Sequence, residues 1–433
     1  MEWWLLLTIA FVLLMFLILT GIPIAYSLGF LALLIGLTLV GPKILYLFGT
    51  LAYGKVNSFS LVALPLFIFM AEVILISGAA KDAFDMLHKW IGAAPGGLLI
   101  ASQLGCTIFA AVCGASTATT AVIGGMAVPE MLKRGYDKRL ATGSIAAGGA
   151  LGVLIPPSIL FIMYGVITEA SIGQLFIAGI IPGLVLAGTR IIYFLVRCIL
   201  NPSLGPPVKG ISWDERFSSL WKIFPLMLLA LFMFVTLYTG VCTPTEVAGL
   251  GALVAILIAL AYRRLNWNNL KDVFLKTGKT TCFIIWIMVA ASSFGFVLSY
   301  LKAPQQFVSW ATALSVSPYT IVVFINLILI VLGCIMDPAA IIMVTVPIFA
   351  PLMEALGFDL VWFGVMFVVN MELAEITPPL GLNLFVMKSV SPPEVTMNDI
   401  IIGSVPFMIL DLVGIALVII FPSLVLWLPS KMM

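Results

Sequence analysis

The sequence predicts an all-α, polytopic membrane protein made of two inverted repeats, and its composition is the first reason. Of 433 residues, 62% are hydrophobic and only 9% are charged, whereas soluble proteins carry about 25% charged residues. Apolar runs of about 20 residues recur along the chain, and each can cross a hydrocarbon core of about 30 Å as a helix. The net charge of +2 and the scattered basic residues predict no nucleic-acid partner, which leaves the lipid bilayer and small solutes.

Hydropathy, with Pro, Gly and charged residues as boundaries, predicts about ten spanning helices. The N-terminus has neither a basic region nor a cleavage site, so the first apolar run is predicted to be a span and not a removed signal. In order, the predicted spans are 4–20, 22–40, 61–79, 140–168, 175–199, 220–239, 246–262, 281–300, 362–389 and 400–428.

Two further apolar stretches, about 97–129 and 319–351, are each too long for one comfortable span. Small or helix-breaking residues interrupt both near the middle, Cys-Gly-Ala-Ser-Thr-Ala-Thr at 113–119 and Gly-Cys-Ile-Met-Asp-Pro-Ala at 333–339. We predict that each stretch is a re-entrant helical hairpin, which enters and leaves on the same face of the membrane.

The distribution of basic residues favours these hairpins. With both in place, sixteen Lys and Arg residues fall in loops on one side, four fall on the other, and Arg190 lies inside a span. The sixteen are Lys81, Lys89, Lys133, Arg134, Lys138, Arg139, Arg197, Lys209, Arg216, Lys222, Arg263, Arg264, Lys271, Lys276, Lys279 and Lys388; the four are Lys43, Lys55, Lys302 and Lys431. A single crossing for each stretch would destroy this bias. The positive-inside rule therefore predicts both hairpins and places both termini on the periplasmic side.

The chain also repeats itself at a constant offset of 222 residues. Pro129, Gly135, Asp137 and the pair Pro156-Pro157 recur as Pro351, Gly357, Asp359 and the pair Pro378-Pro379. The loop at 133–139 is basic, but its copy at 355–361 has no basic residue, so one is predicted to be cytoplasmic and the other external. Inverted-topology repeats of this kind build secondary transporters, whose substrate and ion sites lie near the bilayer midplane.

The two Pro-Pro pairs predict helix breaks within 150–159 and 372–383. Two consecutive prolines remove two amide donors and free carbonyl oxygens, which sodium can bind together with Ser, Thr and Asn oxygens. The first hairpin tip offers hydroxyls and a helix N-terminus that favours an anionic group, and we expect it to close over 152–158. A tight helix interface lined by small residues is the alternative interpretation.

Carboxylates inside the bilayer are costly and usually functional, so Asp337, Glu372 and Glu375 are candidates for gating or ion binding. Other carboxylates in or near spans, such as Glu72 and Asp411, are expected to include structural partners for Arg190. The only histidine, His88, is predicted to be a solvated loop residue.

Four motifs in order carry a family resemblance: Gly114-Ala-Ser-Thr-Ala-Thr, Ile155-Pro-Pro-Ser, Met336-Asp-Pro and Glu375-Ile-Thr-Pro-Pro-Leu-Gly-Leu-Asn383. They resemble the large membrane subunit (DctM/SiaM type) of tripartite ATP-independent periplasmic (TRAP) transporters, over essentially the whole chain. The resemblance implies a non-enzymatic, sodium-driven elevator-type transporter. It would import an organic acid anion, such as a C4-dicarboxylate or sialic acid, across the bacterial inner membrane.

The resemblance also implies partners and a division of the chain. The partners are a small four-helix membrane subunit (DctQ/SiaQ type) and a periplasmic substrate-binding protein (DctP/SiaP type), with sodium as the coupling ion and no other cofactor. The implied division is 1–60, N-terminal scaffold; 61–174, transport-domain repeat 1; 175–280, scaffold and connecting helices; 281–399, transport-domain repeat 2; and 400–433, C-terminal scaffold.

Carried over by motif, the resemblance places one sodium site at Ser116, Thr117, Gly152, Pro156 and Ser158. It places a second at Asp337, Thr377, Gly381 and Asn383. Substrate would bind between the hairpin tips, at Ser116, Thr117, Thr119, Asp337 and Asn383. The 222-residue offset pairs Ser158 with Leu380, and Val153 with Glu375, so the two ion sites need not be chemically equivalent.

Three other functions stay open at this point. A stand-alone sodium/divalent-anion symporter would need no binding protein, and composition does not separate it from the tripartite system. A channel predicts a continuous polar path, and an intramembrane enzyme predicts a nucleophile or acid–base constellation; the sequence favours neither.

Overall fold

All regular secondary structure is helical over the residues that a computed structural model describes, 2–208 and 212–432, with no β-strand among them. Its first half contains α1 (Trp3–Leu19), α2 (Ile24–Leu39), α3 (Ile44–Val56), α4 (Ala63–Ser77), α5 (Ala79–Ile91), α6 (Gly97–Cys113), α7 (Ser116–Lys133), α8 (Lys138–Ala150), α9 (Ile159–Thr168) and α10 (Ile172–Leu200). The predicted all-α class is confirmed. Lys209, one of the sixteen basic residues counted on one side, lies outside the described residues.

The second half contains α11 (Trp213–Tyr238), α12 (Pro244–Ala261), α13 (Trp267–Tyr300), α14 (Ala303–Thr312), α15 (Pro318–Gly333), α16 (Pro338–Ala355), α17 (Leu360–Ile376), α18 (Leu382–Val390), α19 (Met397–Ile420) and α20 (Ser423–Leu426). Short 3₁₀ turns lie at Phe59–Val62, Leu151–Val153, Pro202–Leu204 and Pro429–Lys431.

Seven helical segments in this described part are long and apolar enough to cross a membrane: Phe59–Ser77, α10, α11, α12, α13, α16 and α19. Shorter apolar helices include α1, α2, α6 and α15. The chain is therefore a multi-pass membrane protein. The count of ten crossings stays a prediction.

The 222-residue repeat extends through the helices. Helices α7 and α16 begin and end 222 residues apart, and α19 begins three residues after and ends two residues before the positions that the same offset gives from α10. Both predicted hairpins are pairs of packed helices, α6 with α7 and α15 with α16. Both predicted breaks are also present, because α8 and α9 are separate helices and so are α17 and α18.

Two sequence predictions are wrong. The span predicted at 281–300 belongs to α13, which begins at Trp267, so Lys271, Lys276 and Lys279 are helical and not in a loop. Nine others of the sixteen basic residues counted in loops on that side also lie in helices. Polar residues there do not prevent a helix, since Asn266 caps it by accepting from the Asn269 amide at 2.9 Å.

His88 lies in α5, and its Nε2 is buried without a hydrogen-bond partner, so it is not a solvated loop residue. The amphipathic pattern of α5 buries the face that Phe84 and Leu87 share.

The helices pack in two groups. Helices α2, α3, α4, α12 and α13 contact one another, whereas α8 and α17 lie at the centre of a second group with both hairpins, α10 and α19. Glycines bring α8 and α19 into backbone contact, since a Cβ on Gly143 would overlap the backbone of Gly403. The second group positions the candidate site.

Candidate functional site at the hairpin tips and helix breaks

The first hairpin tip lies directly on the first helix break. Gly114 ends the turn after α6 with a φ of +62°, and a Cβ at this position would overlap the carbonyl oxygen of Pro157. From the other side, a Cβ on Gly152 would lie only 3.1 Å from the Cα of Ser116. The structure therefore brings Ser116, Gly152 and the Pro156-Pro157 pair together, and glycine is required on both surfaces for this approach.

The hydroxyls of this region are not all free. Ser158 is buried, accepts from the Phe161 amide at 3.3 Å as it caps α9, and donates to the carbonyl oxygen of Val153. Thr119 donates to the Ala115 carbonyl at 2.9 Å, which uses its proton within its own helix. Thr117 is half-buried at the start of α7, and Pro156 lines an apolar cavity of about 360 Å³ beside α10 and α11. Hydroxyl oxygens that donate locally keep lone pairs for a cation.

The second tip meets the second break through the backbone. The Leu380 amide donates to the Cys334 carbonyl at 3.3 Å, and a Cβ on Gly333 would lie 2.6 Å from the Cβ of Ala374. Asp337 caps α16 by accepting from the Ala340 amide at 3.1 Å. Asp337 is therefore the N-cap of α16, on the tip that contacts the second break through Cys334.

The second break contributes side chains on both of its edges. Thr377 ends α17 and donates to the Leu373 carbonyl at 2.7 Å. Gly381 begins α18 with a φ of +33°, and its Cα approaches the Thr377 carbonyl closely enough that a Cβ would lie 3.0 Å from that oxygen. Carbonyl oxygens at the end of α17 have no partner one turn further along their own helix, which leaves them available to a bound ion.

Asn383 and Glu375 join the two repeats. Asn383 donates to Glu375 Oε2 at 3.1 Å and to the carbonyl oxygen of Ala146 in α8 at 3.2 Å, and its Oδ1 is buried without a partner. Ser116, on the first tip, lies near enough to Glu375 to act on its carboxyl group. One predicted residue of each sodium site, Ser116 and Asn383, therefore lies beside Glu375, and Asn383 forms its hydrogen bonds with Glu375 and Ala146 and not with Asp337.

Sequence reasoning identified Glu375 only as a costly carboxylate. Its contact with Ser116 could not be predicted, because the two residues are 259 positions apart and belong to different repeats. The cost of an unpaired carboxylate in a bilayer was the signal that pointed to it.

A second buried polar cluster, which we call the Arg190 cluster, consists of Arg190 in α10, Glu372 in α17 and Asp411 in α19. All three side chains are fully buried. Arg190 Nη2 lies 2.6 Å from Glu372 Oε1 and 2.5 Å from Asp411 Oδ1, while Nη1 donates to the Ala147 carbonyl at 2.7 Å. The expectation that Arg190 has carboxylate partners agrees with this geometry. The pairing with Glu372 was not predicted.

Among the described residues, no group of three His, Cys, Asp or Glu side chains is arranged to hold a metal ion. The oxygen atoms at the tips and breaks are hydroxyls, amides, backbone carbonyls and the two carboxyls of Asp337 and Glu375. Such a set suits a hard monovalent cation better than a transition metal.

Known proteins with this fold and sequence are transporters. The chain superposes on the crystal structure of the Alcanivorax borkumensis YdaH transporter with a TM-score of 0.64, at 16% identity and over 89% of each chain. It is 35% identical over 373 residues to a C4-dicarboxylate TRAP transporter large permease protein of Pseudomonas aeruginosa, covering 86% of each chain. It is 32% identical over 376 residues to an ectoine TRAP transporter large permease protein of Halomonas elongata, covering 85% of this chain and 86% of that one.

The family assignment follows from a match along most of the chain. Residues 11–424 match the family described as the tripartite ATP-independent periplasmic transporter, DctM component. This confirms the resemblance that the tip and break motifs indicated. The chain belongs to the DctM family of TRAP transporter large permease subunits.

Proposed function

We propose that this chain is the large permease subunit of a sodium-driven, binding-protein-dependent transporter that imports an organic acid anion across the bacterial inner membrane. One observation carries the proposal: the first hairpin tip and the second helix break meet at Glu375, through Ser116 and Asn383. Hairpin tips and broken helices of opposite repeats are where secondary transporters bind ions and substrate.

The first sodium site is assigned to the contact between tip one and break one. Ser116 and Thr117 supply hydroxyl oxygens, and the backbone at Gly152, Pro156 and Ser158 supplies carbonyl oxygens. The close approach of Gly114 to Pro157 supports this assignment, because it holds the hydroxyl oxygens of the tip against the carbonyl oxygens of the break.

The second sodium site is assigned to the contact between tip two and break two, with Asp337, Thr377, Gly381 and Asn383. The Leu380–Cys334 backbone bond holds these elements together. Glu375 orients the Asn383 amide, which leaves Asn383 Oδ1 as an available acceptor.

The substrate anion is assigned to the space between the tips, at Ser116, Thr117, Thr119, Asp337 and Asn383. The N-termini of α7 and α16 begin at these tips, and helix N-termini favour a carboxylate. The named substrates of the relatives include a C4-dicarboxylate, ectoine and the sulfonate isethionate, so family membership leaves the substrate open among small solutes that carry an anionic group.

The moving part of the elevator is assigned to the two hairpins and the two broken helices, within 61–174 and 281–399. Packing supports the addition of α10 and α19, since both contact α17 and the Arg190 cluster links all three helices. This arrangement differs from the division implied by the resemblance. Helix α4 and the 281–300 part of α13 join α2, α3 and α12 in the scaffold, and only 421–433 of the C-terminal scaffold stays there.

The partners in the proposal are a small DctQ/SiaQ-type membrane subunit and a periplasmic DctP/SiaP-type binding protein. The family description supports this, because it names the chain as one component of a tripartite system. Both termini are placed in the periplasm by the positive-inside bias.

The experiment that tests the proposal is uptake of a radiolabelled organic acid into proteoliposomes that contain this chain and its small subunit. Four conditions are compared: an inward sodium gradient or none, each with or without the cognate binding protein. Uptake only with both the gradient and the binding protein is expected. Uptake without the binding protein would instead identify a stand-alone sodium/divalent-anion symporter, and uptake without a gradient would overturn sodium coupling.

A further inference from the structure

The Arg190 cluster contains more negative than positive charge. One guanidinium faces two carboxyl groups, and the exposed fraction of each of the three side chains is 0%. If both carboxyls were ionised, the cluster would carry a net charge of −1 with no access to water. Proteins avoid an isolated buried charge of this kind, because its desolvation is costly, and they neutralise the group instead.

The hydrogen-bond count leads to the same conclusion. Arg190 Nη2 donates to one oxygen of each carboxyl, but Glu372 Oε2 and Asp411 Oδ2 are buried without any partner. Both unpartnered atoms are acceptors when the groups are ionised, so neither can satisfy the other. One proton on Glu372 Oε2 turns that atom from an unpaired buried acceptor into a donor and removes the negative charge of the group.

A third observation comes from another helix. Gln103 in α6 is 1% exposed, and both polar atoms of its amide lack a hydrogen-bond partner. Its Oε1 and the Cys106 Sγ lie against Gly148, the neighbour of Ala147, whose carbonyl accepts from Arg190. Gln103 thus places an unused acceptor and donor on the same turn of α8 that the Arg190 cluster contacts.

We propose that the Arg190 cluster is a proton-binding site, in which Glu372 holds one proton at neutral pH and Asp411 alone is ionised opposite Arg190. Glu372 is the proton holder because an aspartic acid is intrinsically the stronger acid of the two, and Asp411 Oδ1 lies at 2.5 Å from Arg190 Nη2 against 2.6 Å for Glu372 Oε1. A further carboxyl group, that of Glu375, lies one turn along the same helix. The groups that face the cluster from the other packed helices are Arg190 of α10, Asp411 of α19, the Ala147 carbonyl of α8, and Gln103 and the Cys106 thiol of α6.

The bound proton makes the cluster electroneutral. Moving a net charge across a membrane potential requires electrical work. A neutral cluster therefore adds no electrical work when the helices that carry it move. This site is separate from the proposed sodium sites, and the proposal stands whether or not sodium drives transport.

The proposal predicts the behaviour of two single variants. Glu372→Gln replaces the protonated acid by a neutral isostere and leaves an ion pair of Arg190 with Asp411. Asp411→Asn removes the ionised partner, so Glu372 gives up its proton to neutralise Arg190. Each variant therefore loses the protonated carboxyl.

The test is infrared spectroscopy of the full-length chain reconstituted in liposomes at neutral pH, in sodium and in choline buffer. The C=O stretch of a buried carboxylic acid lies above the amide I band, apart from carboxylate bands. Asp399→Asn is the control, since Asp399 pairs with Lys138 at 2.7 Å and Arg139 at 3.2 Å and is expected to contribute only carboxylate bands.

The expected result is that subtraction of either variant from the wild type leaves a carboxylic acid band in both buffers, while Asp399→Asn leaves none. Carboxylate bands alone in both subtractions would overturn the proposal. A band present only in choline buffer would also overturn it, because sodium would then be the compensating cation.

A labelling measurement covers the case in which neither variant folds. Glutamate with ¹³C in the side-chain carboxyl is incorporated into the wild type. The carboxylic acid band is expected to shift to lower frequency. An absent or unshifted band would show that no glutamic acid holds the proton and would overturn the proposal without any variant.

Discussion

Asn383 donates a hydrogen bond to Glu375 at 3.1 Å across the second helix break, and both side chains are buried. The same amide nitrogen of Asn383 reaches the Ala146 carbonyl of the other repeat at 3.2 Å. A single side chain therefore connects the break in one repeat with the helix before the break in the other. Any ion bound at Asn383 would act on both repeats at once.

Asn383→Ala is expected to raise the sodium concentration for half-maximal uptake by about tenfold or more, since a lost polar partner costs about 1–3 kcal/mol and 1.4 kcal/mol is tenfold. Sodium activation of uptake in proteoliposomes measures this. Asp337→Ala is expected to act in the same direction.

Asn370→Ala is the matched control for Asn383→Ala. Asn370 is also buried, and it donates to Asn326 Oδ1 at 3.1 Å, between α17 and α15. It should lower thermal stability by a similar amount and leave sodium activation unchanged. Equal effects of Asn370→Ala and Asn383→Ala on sodium activation would remove the case for an ion ligand at Asn383.

Gly114→Ala is expected to separate the first tip from the first break. The added Cβ overlaps the Pro157 carbonyl oxygen, and overpacking of this kind costs about 1–3 kcal/mol. Uptake should fall sharply, with weaker sodium activation. Gly135→Ala is the control, because Gly135 has a φ of +78° but nothing within 4 Å of a built Cβ. If both variants lose uptake equally, backbone strain and not the tip–break contact explains the loss.

The double variant Pro156→Ala with Pro157→Ala is expected to abolish uptake. Alanine restores two amide donors, so α8 and α9 can continue as one helix. The carbonyl oxygens that the prolines leave free then accept backbone hydrogen bonds and no longer bind an ion. Transport by the purified variant and its helix content measure the effect. Pro225→Ala, in the middle of α11, is the control because it removes a helix-interior proline away from the tips. Uptake at the wild-type level in the double variant would refute a binding role for the break.

Stability is expected to fall as the pH decreases through the ordinary histidine range. Burial, followed by the positive charge of Arg134, lowers the pKa of His88 below its usual 6.5. The unfolded chain therefore binds a proton near pH 6.5 while the folded chain does not, which favours unfolding below that pH. The thermal midpoint in detergent is compared between about pH 8 and about pH 5.

The chain has a single histidine, so His88→Gln is a clean control. The variant should lose most of the difference in thermal midpoint between the two pH values. The same pH dependence in wild type and variant would assign it to other groups.

Local patterns predicted the hairpins and the breaks because proline and glycine act on the backbone at their own positions, whatever the rest of the fold. Pro156-Pro157 and Pro378-Pro379 interrupt helices wherever they occur, and the small residues around Gly114 permit a tight turn. The polar face of α5 and the first turns of α13 were missed, because hydropathy averages over a window and does not detect a helix that is polar on one face.

Long-range pairings were not predictable from one sequence. Arg190 meets Glu372 and Asp411 over separations of 182 and 221 residues, and nothing local to any of them specifies the others. The same applies to Ser116 and Glu375. The repeat gave partial help, since Arg190 and Asp411 occupy nearly equivalent positions on α10 and α19. It did not indicate that these positions face each other.

Helix α13 has a counterpart in the first repeat that is made of two pieces. At the 222-residue offset, its 34 residues correspond to α3, the turn at Phe59–Val62 and α4, which are interrupted at Asn57 and Ser58. A continuous helix of this length is about 50 Å long and resists bending at any one residue. Of these two counterparts, only the first has an interruption, and a bend there is expected at Asn57 and Ser58. A proline or a cross-link at these two residues would stiffen the first repeat and leave its continuous counterpart in the second repeat unchanged.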